Sequence, residues 1–245
     1  MSRSWRTPGI WWAGRRFRNW TQPTSRSWPD VHKDVARLTR GLGRWHPETR
    51  LARSLVSLWL SSEGRHAEVL ALAEEEVADR TAEFGPDDPE TLRSRRLLTS
   101  ALRGVGDLDG AVAGTRAVME HSARVLGPDH PDTHRCRAAL GQYLAENGEP
   151  AEGARLLRAL YAESLAFGPE RYEEARSIRH HLILALELTG GFQEALDLLD
   201  EEIADESGTV HGVDEFLGDH RMEHVREWRR RLVTRAASGR PGTDG

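Results

Sequence analysis

Histidine and glutamate side chains near the end of the chain have the spacing of a metal site. His220, Glu223 and His224 form the pattern H-x-x-E-H, in which two histidines one helical turn apart can face one zinc ion. Enzymes built on this pattern need a further acidic ligand well downstream, and only 21 residues follow His224. We therefore expect these histidines to be polar positions of a surface helix.

A second group of potential metal ligands is formed by His130, His134 and Cys136. Asp88 occupies the place of His130 when the sequence is shifted by 42 residues, so His130 is expected to be a scaffold residue. The chain has no Gly-rich phosphate loop and no nucleophile elbow, and the lone cysteine excludes a disulfide framework. The sequence therefore predicts no catalytic residue, no cofactor, no metal and no enzymatic activity.

Composition indicates an all-α protein with a thin core. Of the 245 residues 38% are hydrophobic and 30% are charged, and Ala, Leu, Glu and Arg, all strong helix formers, dominate. No apolar stretch approaches the roughly 18 residues that a membrane helix needs, and the apolar start is too short and interrupted for a signal peptide. We expect a cytoplasmic protein without membrane contact.

Internal repetition is the strongest signal in the sequence. When the repeats are aligned, three positions hold the same residue type at a spacing of 42 residues, and we call each such position a column. The glycine column is Gly64, Gly106, Gly148 and Gly190, and the arginine column is Arg53, Arg95, Arg137 and Arg179. The threonine column is Thr49, Thr91 and Thr133, with Ala175 in the fourth repeat. Each Pro-acid-Thr segment predicts the start of a first helix, and the glycine predicts its end. A small residue follows five positions after each glycine, where a second helix must pass close to the first: Val69, Ala111, Gly153 and Ala195.

Apolar residues at helical spacing predict that each helix buries one face. The expected core positions of the first helices include Leu51, Leu55, Leu58, Trp59, Leu97, Leu98, Ala101 and Leu102. In the second helices Leu196, Leu199 and Ile203 continue the pattern.

The connectors GPDDPET at Gly85 and GPDHPDT at Gly127, with the turn glycine and the small residue after it, resemble tetratricopeptide (TPR) repeats. The 42-residue length is similar to that of the kinesin-light-chain-like subgroup, which is common in GC-rich bacteria. The resemblance implies an α-solenoid of helix-turn-helix repeats that binds a partner protein or peptide. It also implies a structural role for the recurring arginine that includes Arg137.

The repeat frame predicts the organisation of the whole chain. The predicted segments are a basic, disordered tail over 1–29, an N-terminal capping helix over 30–42, four repeats over 43–84, 85–126, 127–167 and 168–212, a C-terminal capping helix over 213–236 and a disordered tail over 237–245.

The resemblance places the first helices along a concave groove. The candidate partner-binding residues are Arg93, Arg96, Arg103, Arg135, Gln142 and His180, and the remaining groove-facing positions include Leu51, Ser54, Leu58, Ser100, Ala138, Ser177 and Leu184. An arginine cluster there suits an acidic peptide, because a guanidinium group pairs with both oxygens of a carboxylate. The subgroup's groove asparagine, which clamps a peptide backbone, is missing from all four repeats. A folded protein surface, or a second copy of the same array, therefore stays open as an alternative ligand.

The basic N-terminal segment leaves a different function open. Residues 1–29 carry six arginines, five tryptophans and no acid, which leaves −11 on the remainder of a chain whose net charge is −5. Such a segment could contact nucleic acid, although a tail without a role is the simpler interpretation. The functional hypotheses are thus a protein-interaction scaffold, a regulator that responds to a peptide or small ligand, and a nucleic-acid-associated factor.

Overall fold

The computed structural model describes residues 28–168, 172–208 and 215–238, with side chains over 35–168, 174–204 and 223–238. These residues form ten α-helices and no strand. The helices are α1 (Trp28–Leu42), α2 (Pro47–Ser62), α3 (His66–Phe84), α4 (Pro89–Gly104), α5 (Leu108–Val125), α6 (Pro131–Glu146), α7 (Pro150–Ala166), α8 (Tyr172–Thr189), α9 (Phe192–Gly208) and α10 (Glu215–Ser238). The helices α2, α4, α6 and α8 are the first helices of the four predicted repeats.

The ends of the chain differ slightly from the predicted boundaries. The capping helix α1 begins at Trp28 and α10 ends at Ser238, so each reaches two residues into a segment predicted as a tail. Residues 1–27 and 239–245, which carry the rest of the two predicted tails, lie outside the described residues.

The Pro-acid-Thr segments start helices by a capping mechanism. Asp88 precedes α4, and its Oδ1 accepts hydrogen bonds from the backbone N–H groups of Glu90 at 3.0 Å and Thr91 at 3.1 Å. His130 takes the same place before α6, where its Nδ1 accepts the backbone N–H of Asp132 at 3.1 Å. A side chain at this position satisfies a backbone donor that the first helical turn leaves unpaired. His130 is therefore a helix cap, as expected for a scaffold residue.

The turn glycine and the small residue after it make the tight contact between paired helices possible. Gly148 has a φ of +86°, in the left-handed region that other residues resist. Gly153 then passes so close to α6 that a Cβ atom on it would lie 2.5 Å from the carbonyl oxygen of Gly141 and 3.0 Å from the backbone nitrogen of Ala145. The predicted close approach is confirmed at Gly153.

The chain divides into two compact units, residues 1–69 and 70–245. In the second unit a continuous core runs through α6, α7, α8, α9 and α10, and a smaller cluster joins α5 to α6. The largest side chains in this core that are fully buried include Leu144, Leu157, Leu160, Ile178, Leu182, Ile183, Leu199 and Leu232. The second-helix stripe predicted around Leu199 is confirmed.

Several leucines that were predicted to lie in the core are instead exposed. Leu51, Leu58 and Leu97 expose 46%, 67% and 50% of their surface. The buried positions of α2 are Thr49, Ala52, Val56 and Leu60. These follow one narrow stripe at helical spacing, and the leucines lie off it. The core prediction was wrong for these three residues, because a first helix buries only the stripe that packs on its neighbours.

The recurring arginines pair with the second helix of their own repeat. Arg137 in α6 donates two hydrogen bonds to Glu163 in α7, at 2.6 and 2.9 Å, and these bonds hold the pKa of Glu163 below its ordinary value. Arg95 contacts His121 of α5 at 3.4 Å, with the same separation of 26 residues. In the fourth repeat Arg179 is buried and lies 3.8 Å from Glu202. The structural role that the resemblance implies for Arg137 is thus visible in its contacts.

Candidate partner-binding surface on the first helices

The six predicted partner-binding residues lie on α4, α6 and α8, the three first helices of the second unit. We call the outward-facing side chains of these helices the first-helix surface. Arg93, Arg135 and His180 are exposed, whereas Arg96, Arg103 and Gln142 are partly buried. Leu97 and Leu184, which expose 50% and 40% of their surface, add apolar area to the same helices. The surface therefore combines arginines with exposed leucines.

Two of the arginines make only weak contacts along their own helices. Arg135 lies 2.7 Å from Asp132, three residues earlier, and Arg93 lies 3.8 Å from Glu90. Both guanidinium groups remain more than half exposed. An ion pair this accessible to water contributes at most about 1 kcal/mol and is screened by salt, so either arginine can exchange its partner for a ligand.

Arg96 combines partial burial with an unused hydrogen-bond donor. Its Nε is buried and has no hydrogen-bond partner among the described residues. Arg96 lies on α4 and Arg135 on α6, two first helices that contact each other. A buried donor that is left unpaired costs free energy.

The thiol of Cys136 is buried. Burial raises its pKa to about 11, and the positive charge of Arg96 offsets only part of this effect. Because the thiolate is the nucleophilic form, the raised pKa disfavours reaction of Cys136 at neutral pH. His134, two residues earlier, is 1% exposed, lies 3.6 Å from Glu174 and meets the ring of Phe167 edge-on.

Arg103 is occupied by a carboxylate of the protein, which the sequence did not reveal. Its Nε donates to Glu146 Oε2 at 2.5 Å and its Nη2 donates to Glu146 Oε1 at 2.9 Å. Gln142 also donates to Glu146 Oε1, at 2.9 Å. The hydrogen bonds that Arg103 donates to Glu146 raise the pKa of Arg103, whose guanidinium lies 5.9 Å from the ring centre of Tyr143. Two of the six predicted residues therefore already bind an internal anion.

His180 and His181 are neighbours on α8 whose rings meet edge-on, with ring centres 5.8 Å apart. The ring of His180 meets Trp228 of α10 edge-on, with ring centres 5.0 Å apart. His181 points inward, where burial lowers its pKa and its Nδ1 has no hydrogen-bond partner. The predicted groove residue His180 thus lies at the margin of the first-helix surface, against α10.

A depression that the sequence did not predict lies beside α5. It is an open depression of about 400 Å³ between the exposed side of α5 and the turn after α6. Its lining comprises Asp109, Val112, Ala113, Arg116, Ala117, Glu120, Asn147 and Glu149. This lining carries three carboxylates and one arginine.

The described side chains contain no group of three or more His, Cys, Asp or Glu residues that could hold a metal ion. The H-x-x-E-H pattern falls in α10, where the side chain of His220 lies outside the described residues. Within the described part of the chain, no helix is long and apolar enough to cross a membrane.

Known structures with the same arrangement of helices are TPR-like repeat proteins. Two crystal structures of kinesin light chain nearly identical TPR-like repeats from Podosopora anserina match with TM-scores of 0.59 and 0.58, at 21% identity, over 79% of this chain and 95% and 96% of theirs. BtubC (BKLC) from P. vanneervenii matches with a TM-score of 0.62 at 13% identity, over 89% of this chain and 92% of that one. No family model and no curated protein sequence matches the chain.

These likenesses establish the fold class. The protein is an all-α solenoid built from tandem TPR-like helix pairs, as the repeat columns predicted.

Proposed function

We propose that this chain is a protein-interaction scaffold that binds a partner with exposed acidic residues on its first-helix surface. The observation that carries the proposal is the pair Arg96 and Arg135. Arg96 of α4 has a buried Nε without a hydrogen-bond partner among the described residues, and the side chain of Arg135 of α6 is more than half exposed. The TPR-like fold supports a protein-binding role in general.

The chemistry of the surface favours an acidic partner that also has apolar side chains. Arginine is enriched at the energetic centres of protein interfaces, because its planar group pairs with carboxylates and also stacks on apolar surface. Leu97 and Leu184 offer apolar contacts on the helices on either side of α6. An acidic segment with intervening apolar residues would meet both features. The proposal assigns no catalytic step to the chain.

Charge reversal tests this proposal. We expect the double substitution Arg96→Glu and Arg135→Glu to reduce the recovery of specific partners at least about tenfold, because two attractive contacts become repulsive. The measurement is affinity capture with the full chain, followed by quantitative mass spectrometry. Circular dichroism on each variant verifies that the helices are intact.

A matched control carries the same change of charge on second helices. Arg116 in α5 and Arg155 in α7 are exposed, and the variant Arg116→Glu with Arg155→Glu should recover the same partners as the wild type. Equal recovery by both double variants would contradict the proposal. If only the control variant lost the partners, the binding site would instead lie on the second helices, at or near the depression beside α5.

A further inference from the structure

We propose that Glu146 competes with acidic ligands for Arg103 on the first-helix surface. Because its carboxylate already binds Arg103, Glu146 determines which acidic partners the surface binds. This inference rests on the proposed function, because it concerns the selectivity of the same surface. Replacing Glu146 should strengthen binding of an acidic partner, whereas replacing the arginines should weaken it.

The contact between Glu146 and Arg103 has the geometry that a ligand carboxylate would adopt. Both oxygens of Glu146 are engaged by adjacent nitrogens of the guanidinium, at 2.5 and 2.9 Å. This two-bond arrangement is the most specific way for an arginine to hold a carboxylate. An acidic ligand that approached Arg103 would therefore compete for the same two N–H groups.

Glu146 is held by two residues of the first helices. Arg103 reaches it from α4, and Gln142 contacts it from one turn earlier on α6. The carboxylate thus lies where α4 and α6 adjoin, on the surface proposed to bind the partner. Its side chain is 30% exposed and that of Arg103 is 39% exposed, so water and a ligand can reach the pair.

Arg93 and Arg135 on this face pair with an acid of their own helix, whereas some other arginine pairs of the fold lie away from it. Arg158 in α7 holds Glu194 in α9 at 2.6 and 2.7 Å, with comparable exposure of 49% and 42%. This pair joins two second helices, so its carboxylate does not compete for a ligand on the first helices. The two pairs have similar geometry but join different helices. Only Glu146 is therefore expected to affect which partners bind to the first-helix surface.

We expect that a weakly acidic partner does not displace Glu146 and therefore does not bind to Arg103. Arg96 and Arg135 remain as the first contacts for an anion, and Arg103 joins them only when a ligand displaces Glu146. Replacing Glu146 with glutamine removes the competing charge while keeping the size of the side chain. Arg103 then becomes a third binding arginine.

The test uses peptides selected from a random display library on the immobilised wild-type chain and, separately, on immobilised Glu146→Gln. Dissociation constants of these peptides are then measured for the wild type, Glu146→Gln and the matched control Glu194→Gln. We expect Glu146→Gln to bind acid-rich peptides about fivefold more tightly, the scale of one accessible ion pair, and Glu194→Gln to stay within about twofold of the wild type. Adding Arg103→Gln to Glu146→Gln should return the affinity to the wild-type value.

The outcomes separate this inference from the proposed function. If acid-rich peptides bind the wild type and lose affinity with Arg96→Glu and Arg135→Glu, but Glu146→Gln and Glu194→Gln have equal affinities, the competitor role is wrong and the binding surface stands. Peptides selected on Glu146→Gln but not on the wild type would support the competitor role. If no acid-rich peptide is selected on any variant, both proposals are overturned.

Discussion

Replacing Gly153 with alanine is expected to lower the free energy of unfolding by about 2 kcal/mol, even though alanine favours helix. A Cβ atom at this position would lie 2.5 Å from the carbonyl oxygen of Gly141 and 3.0 Å from the backbone nitrogen of Ala145. Both are backbone atoms of α6, which cannot rotate away as a side chain could. The two helices would have to separate, and the core on both sides of them would lose contacts.

Urea denaturation followed by circular dichroism measures this effect, and Gly41 provides the matched control. Gly41 lies within α1, and a Cβ atom there would meet no other atom within 4 Å. We therefore expect Gly41→Ala to be neutral or stabilising by up to about 1 kcal/mol, because only helix propensity changes. A Gly153→Ala protein with the wild-type urea midpoint would show that α6 and α7 do not pack as closely as described.

The second large effect is expected at the C-terminal capping helix. Trp228→Ala should destabilise the packing of α10 by about 3 to 5 kcal/mol, because a buried aromatic side chain is lost and a cavity remains. Trp228 is 7% exposed within the main core, and its Nε1 donates a hydrogen bond to Glu187 of α8. Glu187 also binds Arg235 at 2.8 Å, so one carboxylate links α8 to two positions of α10.

Hydrogen exchange resolved along the chain distinguishes local release of α10 from global unfolding. In a repeat protein each element depends mainly on its neighbours, so the amides of α10 and α9 should lose most of their protection while those of α4 and α5 keep theirs. Arg226→Ala, an exposed position on α10, should change little. Unchanged protection of α10 in Trp228→Ala would contradict the capping role.

Much of the fold follows from local chemistry that recurs in the sequence. The helices α2, α4 and α6 begin at Pro47, Pro89 and Pro131 as predicted, because a capping side chain and a proline determine a helix start within a few residues. Gly148 and Gly153 likewise mark a turn and a close contact that few other residues permit. These features depend on neighbours in sequence, so one repeat is sufficient to recognise them.

The candidate site was harder to predict, because it depends on contacts between repeats. Arg103 was counted as a free groove arginine, yet its partner Glu146 lies 43 residues away on the next first helix. The position one repeat after Arg103 is Ala145, so comparing the repeat columns alone did not show the pair. Leu97 was assigned to the core because periodicity shows that a residue lies on a face but not whether another helix covers that face.

The central claim is that a partner binds on the first-helix surface, and site-specific photocrosslinking tests it most directly. A photoreactive amino acid is placed in the full chain at Ser100 of α4, at Ser177 of α8 or at Ala117 of α5, all of which are exposed. With a selected acidic peptide, we predict covalent adducts from Ser100 and Ser177 and none from Ala117, which lines the depression beside α5. Adducts from Ala117 alone, or equally from all three positions, would contradict the account.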